Sequence, residues 1–184
     1  MKLVILDRDG VINEDSDEYI KSVDEWCPIP GSLLAMGKLC QAGYTLVVAT
    51  NQSGIARGYY DLQTLHAIHR KMDNLLEAYG GRVDAVFFCP HGPNDRCDCR
   101  KPKDGLYKDI ARRYQMDLTG VPAIGDSYRD LQAARSAGAE PMLVKTGKGM
   151  HTLEALSAQE KRTTPVFENL VEVAEHILNS NHVA

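Results

Sequence analysis

Asp7 and Asp9 stand two positions apart at the end of Leu3-Val4-Ile5-Leu6, with Gly10 directly after them. Four consecutive apolar residues, two of them β-branched, predict a short strand buried on both faces. A chain that stays extended past Asp7 points side chains i and i+2 the same way, so both acids face one spot. Like charges that close repel unless a cation neutralises them or one acid keeps its proton. The pair is therefore a candidate site. A third acid, Asp126, follows another apolar run that ends at Ile124. Three carboxylates make a hard, oxygen-only environment, suited to magnesium held by one or two of them, with waters and a substrate phosphate completing its shell. Lys101 or Lys103 would set positive charge against that phosphate, and spacing alone does not choose between them. Thr50 offers a hydroxyl donor, and the Asn51–Gly54 turn offers backbone amides. Phosphoryl transfer needs in-line positioning and charge neutralisation above all. One carboxylate then serves as nucleophile and forms an aspartyl-phosphate. Its partner protonates the leaving oxygen and later deprotonates the attacking water.

Cys89, His91, Cys97 and Cys99 form a second constellation. Three thiolates and an imidazole supply the four ligands of a closed tetrahedral zinc site. No position remains for water, so the expected role is structural: zinc pins a long polar loop and aims Arg100 and Lys101 at the acids. Clustered cysteines in a cytosolic chain point to metal rather than disulfides. Cys27 and Cys40 stand apart and read as buried or incidental thiols. His66 and His69, at i and i+3 without acids or thiols nearby, read as a solvated helix face, and His151, His176 and His182 receive the same reading.

The elements that must position these groups alternate along the chain. After the first strand, Asn13 to Glu25 is a polar loop or short hairpin. Pro30-Gly31-Ser32 opens a helix with Leu33, Leu34, Met36 and Leu39 on its apolar face, closed by Gly43. Thr45 to Ala49 is a second strand, running into a flexible turn from Thr50 to Gly54. Asp61 caps a helix with Leu65, Ile68, Met72, Leu75 and Leu76 at helical spacing, stopped by Gly80-Gly81. Strands follow at Val83–Phe88, Val121–Ile124, Pro141–Val144 and, briefly, Pro165–Phe167. Helices are expected at Asp104–Tyr114, Arg129–Ala137, His151–Ala158 and Leu170–Leu178. Strand and helix in alternation predict an α/β fold: a doubly wound three-layer sandwich around a mostly parallel sheet. Chemistry in such folds gathers beyond the carboxyl ends of the strands, and every polar cluster above follows a strand. The gaps after strands one and three hold only short loops, so no large cap domain is expected.

The 184 residues suit one domain, 1–184, and 43 % hydrophobic with 25 % charged residues is an ordinary globular balance. A formal charge of −4 argues against general nucleic-acid binding. No apolar run approaches the ~20 residues of a membrane span, and no signal-peptide pattern opens the chain, so a cytoplasmic monomer is expected.

Asp7-Arg8-Asp9-Gly10-Val11, Thr50-Asn51, Lys101-Pro102 and Gly125-Asp126 fall in the order of the four motifs of haloacid dehalogenase-type (HAD) phosphatases, and the chain resembles that superfamily. The resemblance implies that Asp7 is the nucleophile and Asp9 the general acid/base, with Thr50 and Lys101 stabilising the transferring phosphoryl group. It also implies that Asp7, Asp126 and the backbone carbonyl of Asp9 hold magnesium. Arg100-Lys101-Pro102 matches the family pattern and favours Lys101 over Lys103. The cysteine loop narrows the likeness to two sister groups, heptose bisphosphate 7-phosphatases and histidinol-phosphate phosphatases. The turn Asn51-Gln52-Ser53-Gly54-Ile55-Ala56-Arg57-Gly58 is similar to the heptose group, where the histidinol group tends to carry an acid at the position of Ser53. The substrate implied is a small phosphorylated sugar, a heptose bisphosphate that loses its 7-phosphate on the way to activated heptose for bacterial surface glycans. Asn51, Gln52, Ser53, Arg100, Ser127 and the rim residues Asp15, Ser16, Asp17 and Glu18 would contact it. Some heptose enzymes carry lysine where this chain has Ser127, which makes Arg100 the first candidate for the distal 1-phosphate. A receiver-type signalling domain fits less well, because its phosphorylated aspartate follows the third strand, where this chain has zinc ligands. A zinc-ribbon nucleic-acid module is opposed by the acidic balance of the chain.

Overall fold

The computed structural model describes residues 1–180. Six strands, β1 (Lys2–Leu6), β2 (Tyr44–Asn51), β3 (Ala85–Cys89), β4 (Pro122–Gly125), β5 (Glu140–Val144) and β6 (Val166–Phe167), form one sheet in the order β3-β2-β1-β4-β5-β6. Every pairing is parallel. The apolar run of β1 is buried on both faces because alternate residues enter different cores. Val4 and Leu6 pack with helices α1 (Ser32–Gln41), α2 (Leu62–Glu77) and α7 (Leu170–Ser180). Leu3 and Ile5 pack on the other face with α3 (Gly105–Tyr114) and α4 (Tyr128–Ser136). These are the three layers that alternation implied.

Strand order reverses between β1 and β4, and the Asp7 N–H donates to Ile124 O at 2.9 Å. The carboxyl ends of these two strands therefore open a crevice at the switch point, with Asp7 and Asp126 on its two sides. The loops after β1 and β3, residues 7–31 and 90–104, are too short to contain a cap domain. Among the described residues no helix is long and apolar enough to cross a membrane.

Several local expectations are corrected. Thr50 and Asn51 belong to β2 rather than to a flexible turn, so their side chains are set by the ladder to β3. Leu34 (44 % exposed) and Leu75 (39 %) lie off the buried stripes of α1 and α2. The helix expected over 151–158 is two shorter ones, α5 (Gly149–Ala155) and α6 (Ala158–Thr163), broken where Ser157 caps the second through the Glu160 N–H. His69 is buried while His66, His151 and His176 are exposed; His182 lies outside the described residues.

Candidate active site and metal centres

A cleft of about 370 Å³ lies over the crevice between β1 and β4, with Asp7, Asp9, Thr50, Lys101 and Asp126 all in its wall. The chain does not stay extended after β1. It turns on the Arg8 carbonyl, which accepts from the N–H groups of Ile12 and Asn13, and this turn still brings both acids to the cleft. Gly10 is required here: its φ is +82°, and a Cβ would stand 2.1 Å from Asp126 Oδ2.

Lys101 is the charged hub. Its ammonium is 2 % exposed and lies 3.0 Å from Asp7 Oδ1, 2.6 Å from Asp130 Oδ1 and 2.7 Å from Ala49 O. Asn51 clamps the Lys101 backbone from both sides, accepting its N–H and donating to its carbonyl, each at 3.0 Å. Lys103, the alternative, is half exposed and pairs with Asp98 outside the cleft. Burial disfavours the Lys101 charge, but Asp130 and Asp7 outweigh it and raise its pKa above the ordinary lysine range.

Asp130 was not foreseen. It sits one helical turn after Asp126 and accepts from both the N–H (2.9 Å) and the hydroxyl (2.6 Å) of Ser127. The Ser127-x-x-Asp130 spacing is a helix-start pattern legible in the sequence. Ser127 lines the cleft, but its hydroxyl hydrogen is already committed to Asp130.

Carboxylate oxygens of Asp7, Asp126 and Asp130 lie within 4.8 Å of one another. Burial, and then the Asp130 charge, push Asp7 up to about 7 despite Lys101. Burial, with Asp130 and Asp7, pushes Asp126 up to about 8. Such raised values mark carboxylates that are buried first and crowded by like charge second, a setting that a hard divalent ion would relieve. Asp7 Oδ1 accepts the Arg8 N–H at 2.8 Å and faces Lys101; among the described residues no hydrogen bond reaches Oδ2.

Asp9 is in a different setting. Burial would raise its pKa, yet the Arg8 guanidinium and hydrogen bonds from Asn13 and Gln52 hold it below the usual carboxylate range. Gln52 lines the cleft. Its amide donates to Asp9 (2.9 Å) and Thr50 (3.0 Å), and its carbonyl accepts from Arg8 and Tyr60. Its backbone N–H is taken by Cys89 O, so it does not join an amide cradle.

On the rim, Asp15, Ser16, Asp17, Ser53 and Arg100 line the cleft as expected; Glu18 does not. Arg57, Arg129, Tyr19 and Lys148 line it unforeseen. Lys148 arrives from the segment after β5, a proximity that only the fold creates. Its N–H donates to Asp126 Oδ2 at 2.7 Å, and its ammonium lies 3.3 Å from both Asp15 and Asp17.

The four zinc candidates also converge, with potential ligand atoms within 4.8 Å. Cys89 Sγ is 3.9 Å from Cys97 Sγ, and His91 Nδ1 is 3.3 Å from Cys99 Sγ and 3.6 Å from Cys89 Sγ. Tetrahedral ligands about 2.3 Å from a shared centre lie about 3.7 Å apart, so the spacing fits. Arg100 donates to His91 O, tying the loop to the cleft wall.

Comparison with known proteins agrees with this geometry. Residues 2–128 match the Polynucleotide kinase 3 phosphatase family, and residues 98–173 match the HAD-hydrolase-like family. The D-glycero-beta-D-manno-heptose-1,7-bisphosphate 7-phosphatase of Bordetella bronchiseptica is 60 % identical over 97 % of this chain and 98 % of its own length. The protein of the same name from Pseudomonas putida is 54 % identical over 97 % of this chain and 100 % of its own. The crystal structure of the D,D-heptose 1,7-bisphosphate phosphatase from B. bronchiseptica, complexed with magnesium and phosphate, superposes with a TM-score of 0.94. It is 58 % identical and covers 98 % of this chain and 99 % of that one.

Proposed function

The chain belongs to the HAD-like hydrolases, in the family of the heptose-1,7-bisphosphate 7-phosphatases, and we propose that it hydrolyses the 7-phosphate of D-glycero-beta-D-manno-heptose 1,7-bisphosphate, leaving the 1-phosphate. The observation that carries this reading is the state of Asp7. One oxygen is held by Arg8 and Lys101, and the other is left for the phosphorus.

In this reading Asp7 Oδ2 attacks the 7-phosphoryl group and forms an aspartyl-phosphate. Lys101 and the Thr50 hydroxyl stabilise the charge on the transferring oxygens. Asp9 gives a proton to the departing C7 oxygen and then takes one from the water that cleaves the acyl-phosphate. Arg8 keeps Asp9 ionised in the free protein, and the arriving phosphate dianion favours its protonated form. Asp7, Asp126 and the Asp9 carbonyl hold magnesium, whose chemistry there is neutralisation of phosphate charge. Cys89, His91, Cys97 and Cys99 hold a structural zinc. Asp15, Ser16, Asp17, Asn51, Ser53 and Arg100 border the sugar, and Arg100 meets the 1-phosphate. The same reading makes the protein a cytoplasmic monomer in the supply of activated heptose, which size-exclusion chromatography and cell fractionation check.

The test is phosphate release from the β and α bisphosphates, histidinol phosphate and a 3′-phosphorylated oligonucleotide at equal concentration with magnesium. The expected order puts the β-heptose bisphosphate first. A clear preference for histidinol phosphate or the oligonucleotide refutes the proposal.

A further inference from the structure

Arg8 and His69 are buried beneath the cleft; Arg8 holds Asp9, and His69 has no place in the chemistry just described. Arg8 grips its own neighbour. Its Nε and Nη2 donate to Asp9 Oδ1 at 3.1 and 2.9 Å, and Nη2 also reaches Oδ2 at 3.1 Å. Side chains of adjacent residues ordinarily diverge, so a guanidinium folded back on residue i+1 needs its far edge fixed. Gln52 Oε1 accepts from Nη2 at 3.2 Å, and His69 Nε2 lies 3.3 Å from Nη1.

The polarity of that last contact is determined. A guanidinium carries only donors, so Nε2 presents its lone pair and the imidazole proton sits on Nδ1. His69 is therefore neutral, in keeping with burial and the Arg8 charge, which push its pKa down to about 3. The ring is delivered by α2 from within its apolar stripe, between Leu65, Ile68 and Met72, where its position is fixed by packing. It is the outermost link of a chain running His69, Arg8, Asp9.

We infer that His69 is a positioning residue for the proton-transfer step: by accepting the outer N–H of Arg8, it fixes the guanidinium plane against which Asp9 is aligned. This rests on the reading of Asp9 as the general acid/base. His69 does not line the cleft, so its effect passes through the Arg8 guanidinium, whose carboxylate partner is Asp9. A misplacement on the order of 1 Å at a catalytic group costs roughly a hundredfold.

The experiment compares kcat/KM for D-glycero-β-D-manno-heptose 1,7-bisphosphate and for p-nitrophenyl phosphate. The sugar alkoxide needs a proton to leave; the nitrophenolate does not. His69→Phe keeps an aromatic ring without the acceptor, and His69→Gln returns an acceptor near Nε2. His69→Phe is expected to lower the sugar value by about ten- to a hundredfold and the aryl value by no more than about threefold, with His69→Gln recovering most of the loss. The ratio of the two values is independent of how much enzyme is folded, and His69→Met carries the same comparison if the Phe variant does not fold. Equal losses on both substrates, or no loss, overturn the inference. Asp9→Asn run alongside separates the two levels. If Asp9→Asn shows the leaving-group dependence and His69→Phe does not, only the role of His69 falls. If Asp9→Asn shows none, the reading of Asp9 falls, and this inference falls with it.

Discussion

Raising the pH of magnesium-free protein should cost it stability through Asp7 and Asp126, against the usual behaviour of carboxylates. Asp7 and Asp126 have ordinary values of 3.8 and are raised to about 7 and about 8. Between those limits these two acids bind more protons in the folded protein than in the unfolded chain, so their contribution to stability is lost as pH rises through the window. His69 works in the opposite sense below its ordinary 6.5, because the unfolded chain protonates it and the folded protein does not. Asp9 and Asp130 are lowered, so their contribution is already complete above pH 4. Between pH 6.5 and 8 the cysteine loop still opposes Asp7 and Asp126, because thiols hold zinc without their protons and Cys97 is itself lowered, so the two acids are read as the difference from Asp7→Asn/Asp126→Asn, in which the loop cancels. Across this window roughly 1.5 pKa units of Asp126 and half a unit of Asp7 remain to be lost. At about 1.4 kcal/mol per unit this is on the order of 2–3 kcal/mol. For a chain of this size the loss lowers Tm by about 5–10 °C. Magnesium requires both acids ionised, so its stabilising effect should grow over the same range. Thermal melts of this protein and of Asp7→Asn/Asp126→Asn at pH 6.5, 7, 7.5 and 8, with and without magnesium, check both slopes. Magnesium is best removed by dialysis, since a chelator would also strip the cysteine loop. A Tm that changes with pH no differently from that of Asp7→Asn/Asp126→Asn without magnesium, or a magnesium shift equal at both ends of the range, refutes the excess of buried negative charge at the site.

Asp7→Asn should abolish phosphate release while leaving the magnesium-free Tm at pH 8 unchanged or raised, because a buried, repelled charge is gone; substantial residual turnover removes Asp7 as nucleophile. Asp130→Ala leaves Lys101 buried with Asp7 as its one carboxylate partner, which should cost about 3 kcal/mol and reduce kcat at least about tenfold. A loss of only about 1 kcal/mol with an unchanged kcat would show that Asp130 is only a helix cap. Protein purified without chelators should contain about one zinc per chain by elemental analysis, set by the four-ligand site. Cys97→Ser should lower that content and kcat together, since Arg100 and Lys101 hang from the loop; full zinc in the variant excludes Cys97 as a ligand.

Much of this was legible in the sequence for a definite reason. Parallel strands covered on both faces read as unbroken apolar runs, so β1, β4 and β5 announced themselves, and the polar residues after each run marked the active edge. The losses are equally specific. Leu65, Ile68, His69, Met72 and Leu76 form the buried stripe of α2; the polarity of His69 suggests a solvated face, but its place in that stripe decides its burial. The short α6 buries no residue, so no periodicity betrayed it; the Ser157-x-x-Glu160 cap was its one local sign. Gln52 and Ser127 sit at the cleft yet direct their polar groups into the protein, because other acids claim them. Lys148 lies over a hundred positions from Asp15 and meets it only once β5 has been placed beside β4.

Asp7 and Asp9 enter the cleft from neighbouring positions on one backbone, yet their environments drive their proton affinities apart. The turn on the Arg8 carbonyl separates them. Asp7 remains at the strand end, where Lys101 must be shared with Asp130 and a third acid stands opposite. Asp9 receives a whole guanidinium, together with two amides, and shares none of them with Asp7. The acid left short of positive charge is the one that gains most from a metal ion. The acid already satisfied has no need of one through its side chain, and that side chain stays available for protons. Opposed environments on two nearby carboxyl groups are how one site assigns an attacking group and a proton carrier. In the proposed roles the assignment follows from which cation each acid meets: a lysine brought by the cysteine loop for Asp7, an arginine next in the chain for Asp9.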